Sequence, residues 1–164
     1  MSPDPIALAE AHWVDHGWGE AAPGMRLVTT ITRVQQLLHQ SIDELLRPEL
    51  TFARYEILML LVFSKRGALP MSVIGSRLQV HAASVTSAVD RLERDAYVTR
   101  ERGEGDRRQV LARITPAGRR RALAATEILN REIFEDVGLS PAAAGRLAGN
   151  LDAMRAHRGE ALEA

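Results

Sequence analysis

One face of the segment from Ala82 to Asp95 carries small and hydroxyl-bearing side chains, where a solvated helix more usually carries glutamate and lysine. Hydroxyl groups can donate to phosphate or reach base edges, and small side chains let a backbone approach a flat surface. The apolar positions of this segment recur on the opposite face at helical spacing. The pattern favours contact with DNA over simple solvation. The residues of the outer face are Ala83, Ser84, Thr86, Ser87, Asp90 and Arg91.

Arginines follow this segment in a pattern typical of a β-hairpin. The stretches Tyr97–Arg102 and Gln109–Ile114 are predicted to be its two strands. Between them, Gly103–Arg108 supplies glycines for the turn and two arginines near the tip. A new helix is predicted next, because Thr115 suits an N-cap and Pro116 suits the first helical position.

A shorter helix is predicted ahead of the outward-facing one. It spans Ser72 to Leu78, and only Gln79–His81 separates it from the next helix. Two helices joined this closely must cross steeply, as they do in a helix-turn-helix. A helix-turn-helix followed by a hairpin with arginines at its tip predicts a winged helix. The expected fold is therefore mainly α with a small β-hairpin wing.

The winged-helix segment resembles the MarR family of bacterial transcription regulators. In that family an Asp-x-Arg motif lies in the wing, and the resemblance implies that Arg108 enters the minor groove while Asp106 holds it. The chain departs from the family at Ala96, where a glycine usually precedes the wing strand. The resemblance covers about residues 26 to 158. It rests on the runs Leu50–Leu58, Val85–Glu93, Tyr97–Arg100, Asp106–Arg108 and Ile114–Gly118.

The resemblance implies a homodimer that binds a pseudo-palindromic double-stranded DNA site, most often as a repressor. The recognition helices would enter successive major grooves, and the wings would reach flanking minor grooves. A small aromatic or anionic effector is expected to bind between the dimerisation helices and the winged helix and to weaken DNA binding. The DNA-binding candidates are Arg77, His81, Ala83, Ser84, Thr86, Ser87, Arg91, Asp106, Arg107 and Arg108. The candidates for the effector site are Trp13, Arg33, His39, Tyr55 and Glu56.

Charge is unevenly distributed along a chain whose formal net charge is zero. Residues 65 to 121 hold thirteen basic and six acidic side chains, a net charge of +7, and the rest of the chain carries −7. The positive block coincides with the predicted winged helix, which is the electrostatic pattern of a nucleic-acid binder. A winged helix used only for protein contacts is the alternative, and the wing arginines and the +7 block argue against it.

Long amphipathic segments on both sides of the winged helix predict dimerisation helices, because their apolar faces are wider than one neighbour can cover. The helix from Arg54 to Phe63 is apolar nearly all round, so we expect it to be central and buried. Further helices are predicted at Ile6–His16, Met25–Leu46, Arg119–Val137 and from Pro141 to about His157, with a connector at Ala21–Gly24. The predicted regions are an N-terminal extension (1–24), a dimerisation helix (25–49), the winged helix-turn-helix (50–118) and C-terminal dimerisation helices (119–164).

Several classes of function lack their sequence signatures. The chain has no cysteine, which excludes disulfides and thiolate chemistry, and it has no glycine-rich phosphate loop or Gly-x-Ser-x-Gly motif. His12 and His16, with Asp15 beside them, lack a third well-placed ligand, so no metal or other cofactor is expected. No apolar run is long enough to span a membrane, and no secretion signal is present. We therefore expect a cytoplasmic protein that is not an enzyme.

Overall fold

The structure, a computed structural model, describes residues 3–103 and 109–161, which divide into two compact units between Ala122 and Leu123. The described residues contain seven α-helices, one π-helical turn and three short strands. The helices are α1 (Pro5–Asp15), α2 (Ala22–Leu46), α3 (Phe52–Phe63), α4 (Met71–Leu78), α5 (Ala82–Arg94), α6 (Pro116–Leu129) and α7 (Pro141–His157). The strands are β1 (Ala68–Pro70), β2 (Val98–Arg102) and β3 (Val110–Ile114). This architecture confirms the predicted mainly α fold with a β wing.

The three strands form an antiparallel sheet in the order β1-β3-β2. The hairpin register pairs Val98 with Ile114 and Arg102 with Val110. Strand β1 adds to the outer edge of β3, with Ala68 opposite Arg113. The predicted wing therefore has a third strand, contributed by the segment between α3 and α4.

Local backbone geometry forms the tight turn between α4 and α5. Gln79 ends α4 in the left-handed region, with φ of +54°. A Cβ on Gly75 would lie 3.3 Å from the carbonyl oxygen of Val80, so a glycine there lets the turn fold back closely on α4. On α5, the fully buried residues Val89 and Leu92 lie on the predicted inner face. The predicted helix-turn-helix is therefore confirmed.

The connection from α5 to the wing contains an unusual residue. Ala96 has φ of +59°, a left-handed conformation that a side chain with a Cβ disfavours. The amide of Tyr97 donates to the carbonyl of Leu92 at 2.8 Å, and the Thr115 hydroxyl donates to the carbonyl of Ala96 at 2.8 Å. These bonds hold the turn in place, and the geometry explains why a glycine is favoured at this position.

Two predictions about the helices between residues 21 and 63 are wrong. Helix α2 begins at Ala22, so the predicted connector Ala21–Gly24 is mostly helical; proline in a first helical turn sacrifices no intrahelical hydrogen bond, and Pro23 fits there. Helix α3 is not buried all round. Its neighbours cover Tyr55, Ile57, Leu58 and Leu61, but Phe63 at its end is 76% exposed.

The helix after the wing also ends earlier than predicted. Helix α6 stops at Leu129 and continues as one π-helical turn, Asn130–Phe134, so Val137 lies outside it. The Asp136 carboxylate accepts from the amide of Gly138 at 2.9 Å, a local turn that competes with helical hydrogen bonding. The predicted break at Gly138 is confirmed, because this residue has φ of +76° and Ser140 caps α7.

Among the described helices, none is both long enough and apolar enough to cross a lipid bilayer. Within the same residues, no group of three or more acidic or histidine side chains is placed to hold a metal ion. The ring of His16 instead contacts the backbone carbonyl of His12, with its Nδ1 atom 2.8 Å from that oxygen.

Candidate nucleic-acid interface

Helix α5 separates an inner from an outer face, as its sequence predicts. Val85, Val89 and Leu92 are buried at the spacing of one helical face. The residues Ala83, Ser84, Thr86, Ser87 and Arg91 are exposed on the rest of the helix. The first turns of the outer surface therefore carry short side chains, and exposed arginines Arg91 and Arg94 lie near the helix end.

Part of this outer face borders a surface depression of about 520 Å³ between α5 and the start of α3. Small side chains of α5 form its floor, and two arginines from different helices stand at its border. A guanidinium group is well suited to bind a phosphate oxygen, and a hydroxyl-bearing floor can meet base edges. The lining residues are Thr51, Arg54, Ala83, Ser84, Ser87, Ala88 and Arg91.

Thr51 and Arg54 were not among the residues that the sequence singled out for DNA contact. Thr51 precedes α3 without a side-chain capping hydrogen bond, and the amide of Phe52 donates to the Asp43 carboxylate at 3.0 Å. Arg54 donates weakly to the Thr51 hydroxyl at 3.4 Å and pairs at 3.2 Å with Asp95, the residue that follows α5. The sequence signal was that Arg54 is the only basic residue of a largely apolar helix.

Three other DNA-binding candidates on or next to α4 and α5 do not line this depression, namely Arg77, His81 and Thr86. Arg77 is exposed on α4, and His81 precedes α5 as its N-cap residue without a side-chain capping bond. The hydroxyl of Thr86 donates to the carbonyl of Ala82 at 2.9 Å. Its hydrogen is therefore used within the helix, which leaves Thr86 able to accept but not to donate to another molecule.

The wing begins and ends in well-defined contacts. The amide of Gly103 donates to the carbonyl of Gln109 at 2.9 Å, which extends the hairpin beyond the Arg102–Val110 pair. The predicted residues Asp106, Arg107 and Arg108 lie outside the described part of the chain. One wing residue that the sequence did not single out, Arg100 on β2, contacts α5 directly through ion pairs with Asp90 and Glu93.

The five effector candidates fall in three separate places. Arg33 borders a cleft of about 470 Å³ between α1 and α2. Trp13 makes an edge-to-face contact with Trp18, with ring centroids 5.3 Å apart. The remaining three candidates, His39, Tyr55 and Glu56, lie on α2 and α3, two helices that pack together.

This last group is joined by aromatic contacts through Phe52. The His39 ring meets Phe52 edge to face at 5.6 Å, and Phe52 lies nearly parallel to Tyr55 at 6.1 Å. Partial burial raises the pKa of the Glu56 carboxyl above its ordinary value, and the charge of nearby His39 opposes that rise. The α2–α3 contact therefore combines aromatic rings with two groups able to carry charge.

Comparison with known proteins identifies relatives that cover most of this chain. A sequence model of the MarR family matches residues 49–109. Sco5413, a MarR family transcriptional regulator from Streptomyces coelicolor, is 42% identical over 86% of this chain and 99% of its own, with a TM-score of 0.77. Sco3205 from the same organism, solved in complex with DNA, shares the fold at 24% identity over 80% of this chain and 86% of its own (TM-score 0.69).

A curated relative extends the sequence comparison. The HTH-type transcriptional regulator PecS of Dickeya dadantii is 32% identical over 116 residues, which are 69% of this chain and 65% of PecS. The chain matches less than two thirds of the length of each curated relative found.

Proposed function

Because this chain belongs to the MarR family of transcriptional regulators, we propose that it represses transcription by binding a pseudo-palindromic DNA site as a homodimer. Its family and fold are those of transcriptional regulators rather than enzymes. The observation that carries the proposal is the outer face of α5, where a floor of small and hydroxyl side chains lies between Arg54 and Arg91.

The dimensions of this face suit the major groove. An α-helix with its side chains is about 10–12 Å across, and the major groove of B-DNA is about 12 Å wide. In the proposed complex Ser84 and Ser87 face base edges, while Arg91 binds a phosphate that borders the groove. Two copies related by a two-fold axis would place their α5 helices on half-sites about 10 bp apart.

Charge supports the same assignment. The block from residue 65 to residue 121 has a net charge of +7 and includes α4, α5 and the wing. Cations that replace counterions on the DNA backbone contribute affinity that falls as salt rises. We assign Arg107 to phosphate contact, and Arg108, supported by Asp106, to the minor groove, on the strength of their sequence motif.

Release by an effector is the second part of the proposal. A small aromatic or anionic molecule bound beside His39, Tyr55 and Glu56 would change the packing of α2 against α3. This packing connects the proposed dimerisation helix to the helix-turn-helix. The cleft beside Arg33 offers a cationic group for a carboxylate. Binding at either place lowers DNA affinity only if the effector prefers the DNA-free arrangement of the dimer.

Selection of bound duplexes from a random double-stranded pool, with the full chain, tests the function directly. We expect enrichment of an inverted repeat whose half-sites are about 10 bp apart. Enrichment of no sequence, together with binding that depends only on salt, would contradict sequence-specific regulation. Such an outcome would favour the protein-interaction alternative.

The division between base reading and phosphate binding predicts two different results. Arg91→Ala should lower the dependence of log affinity on log salt by about 0.9, because one phosphate contact is lost, and do so on every duplex. Ser84→Ala should leave that slope unchanged and alter which bases are preferred. Titrations at four salt concentrations measure the slope, with Arg131→Ala, an exposed arginine in the second unit, as the control. Identical slopes for Arg91→Ala and Ser84→Ala would contradict the division.

The wing assignment predicts a separate loss of affinity. Arg108→Ala should weaken binding to the selected duplex by about 1–3 kcal/mol, because the narrow minor groove attracts a guanidinium through its strong negative potential. Fluorescence anisotropy of a labelled duplex measures the change, and thermal melting of the variant serves as the control for folding. Unchanged affinity would contradict a contribution of Arg108 to DNA binding.

A further inference from the structure

Arg100 reaches from wing strand β2 to two carboxylates of the recognition helix α5. Its Nη2 atom lies 2.5 Å from a carboxylate oxygen of Asp90, and its Nη1 atom lies 2.8 Å from one of Glu93. The same Nη2 atom donates at 3.4 Å to the carbonyl oxygen of Thr86. Both terminal nitrogens of the guanidinium are therefore engaged within the protein.

The backbone reinforces this side-chain contact. The amide of Arg100 donates to the second carboxylate oxygen of Glu93 at 3.1 Å, so Glu93 binds both the main chain and the side chain of one wing residue. Asp90 and Glu93 are three residues apart and lie on one side of a helix, which matches the width of a planar guanidinium. An ammonium group in place of the guanidinium would lack this forked geometry.

The position of Arg100 along β2 lets this contact restrain the orientation of the wing relative to α5. The turn at Ala96 fixes where β2 starts, and pairing with β3 keeps the strand in the sheet. Arg100 lies four residues beyond that turn and ties the strand to α5 a second time, across three positions of the helix. Because Arg100 and the Ala96 turn attach β2 to α5 at separate positions, together they restrict the angle between the strand and the helix.

The contact also controls charge close to the candidate interface. Asp90 and Glu93 are about half exposed on α5, and DNA phosphates would repel their carboxylates. A cation bound between them offsets that repulsion at short range. Arg100 therefore has two effects on the recognition helix, one geometric and one electrostatic.

We propose that Arg100 is a positioning residue for DNA binding, which holds the wing at a fixed angle to the recognition helix so that both contact DNA together. The inference rests on the function proposed above and adds a role that the DNA-contact residues do not supply. Its distinctive consequence is coupling: the contribution of the wing to affinity depends on Arg100, although Arg100 itself binds no phosphate or base.

A double-mutant cycle between protein and DNA tests this coupling. The first change is Arg100→Met, which keeps an unbranched stem and removes the charge. The second replaces the flanking base pairs of the selected duplex, outside the half-sites that α5 would read. For the unaltered chain we expect flank replacement to weaken binding by about tenfold; for Arg100→Met we expect less than about twofold.

Arg113→Met is the matched control. Arg113 is also a wing arginine in an ion pair, but its partner Glu101 lies within the sheet, at 2.7 Å, and its Nη1 atom donates to the carbonyl oxygen of Arg66 at 2.7 Å. This variant should keep the tenfold effect of the flanks. Arg100→Lys, which retains the charge without the fork, should recover part of the effect, and melting curves of all three variants establish that each is folded.

Two results would overturn the inference. If the flanks matter equally to Arg100→Met and to the unaltered chain, Arg100 does not couple the wing to the helix. If Arg100→Met lowers the salt dependence by about one unit, Arg100 binds a phosphate directly. An unaltered chain that binds no duplex selectively would overturn the proposed function as well, whereas selective binding with no coupling would overturn only the role of Arg100.

Discussion

Gly118→Ala is expected to destabilise the winged helix strongly. A Cβ at this position would lie 2.1 Å from the carbonyl oxygen of Tyr97 and 2.9 Å from its carbonyl carbon, far inside van der Waals contact. Those atoms are backbone, and they are held in place because the amide of Thr115 donates to the same Tyr97 oxygen at 3.0 Å. The Thr115 hydroxyl in turn accepts from the amide of Gly118 at 3.0 Å. We expect a loss of about 3 kcal/mol in the free energy of unfolding, since the strand and helix must move apart.

Thermal melting followed by circular dichroism measures this loss. About 3 kcal/mol corresponds to a fall in Tm of roughly 6–12 °C for a chain of this size. Gly145→Ala in α7 is the matched control, because a Cβ there meets nothing within 4 Å. That change should stabilise the helix by about 0.5–1 kcal/mol. Equal melting temperatures for the two variants would contradict the close approach of Gly118 to Tyr97.

Val34→Glu is expected to convert a dimer into monomers. Val34 lies in the middle of an apolar row on α2, and the exposed fractions of Leu27, Val34 and Leu38 are between 42% and 48%. Ile31 completes the row at the spacing i, i+4, i+7, i+11, which forms one face of a helix. Apolar surface in water costs about 25 cal/mol per Å², so the proposed partner copy would cover this row. A charged carboxylate buried in such an interface would be strongly unfavourable.

Sedimentation at micromolar concentration distinguishes the two states, because one chain has a mass of 18.1 kDa. Val80→Glu is the control, since Val80 is 43% exposed but lies in the turn between α4 and α5. It should leave the mass unchanged. We expect Val34→Glu to lose affinity for the inverted repeat, because only a dimer engages two half-sites together. A dimer that survives Val34→Glu, or an unaltered chain that is monomeric, would contradict this interface.

The elements that the sequence predicted well are those whose signal is local. The apolar spacing of α5, the three-residue turn before it and the Thr115-Pro116 start of α6 each depend on neighbours within one or two helical turns. The order of these elements along the chain then predicts the winged helix. The structure therefore places the outer face of α5 as the side-chain pattern indicated.

The missed features depend on residues far apart in the chain. Arg54 pairs with Asp95, forty-one positions away, and nothing in the spacing of either residue indicates that pair. Arg100 looked like an ordinary strand residue, because its partners lie on a different element. The exposure of Phe63 was missed for a similar reason, since apolar composition predicts burial only when neighbouring elements cover every side of a helix.

The left-handed conformation of Ala96 has a consequence for motion. An alanine held there gives up roughly 1–2 kcal/mol relative to its preferred backbone conformation, and the surrounding hydrogen bonds must supply that amount. Backbone strain of this size lowers the free energy needed to open the turn. We therefore expect the joint between the recognition helix and the wing to open more readily than the buried face of α5. Arg100 forms ion pairs across the same joint, so it would limit how often β2 separates from α5 and would favour its return.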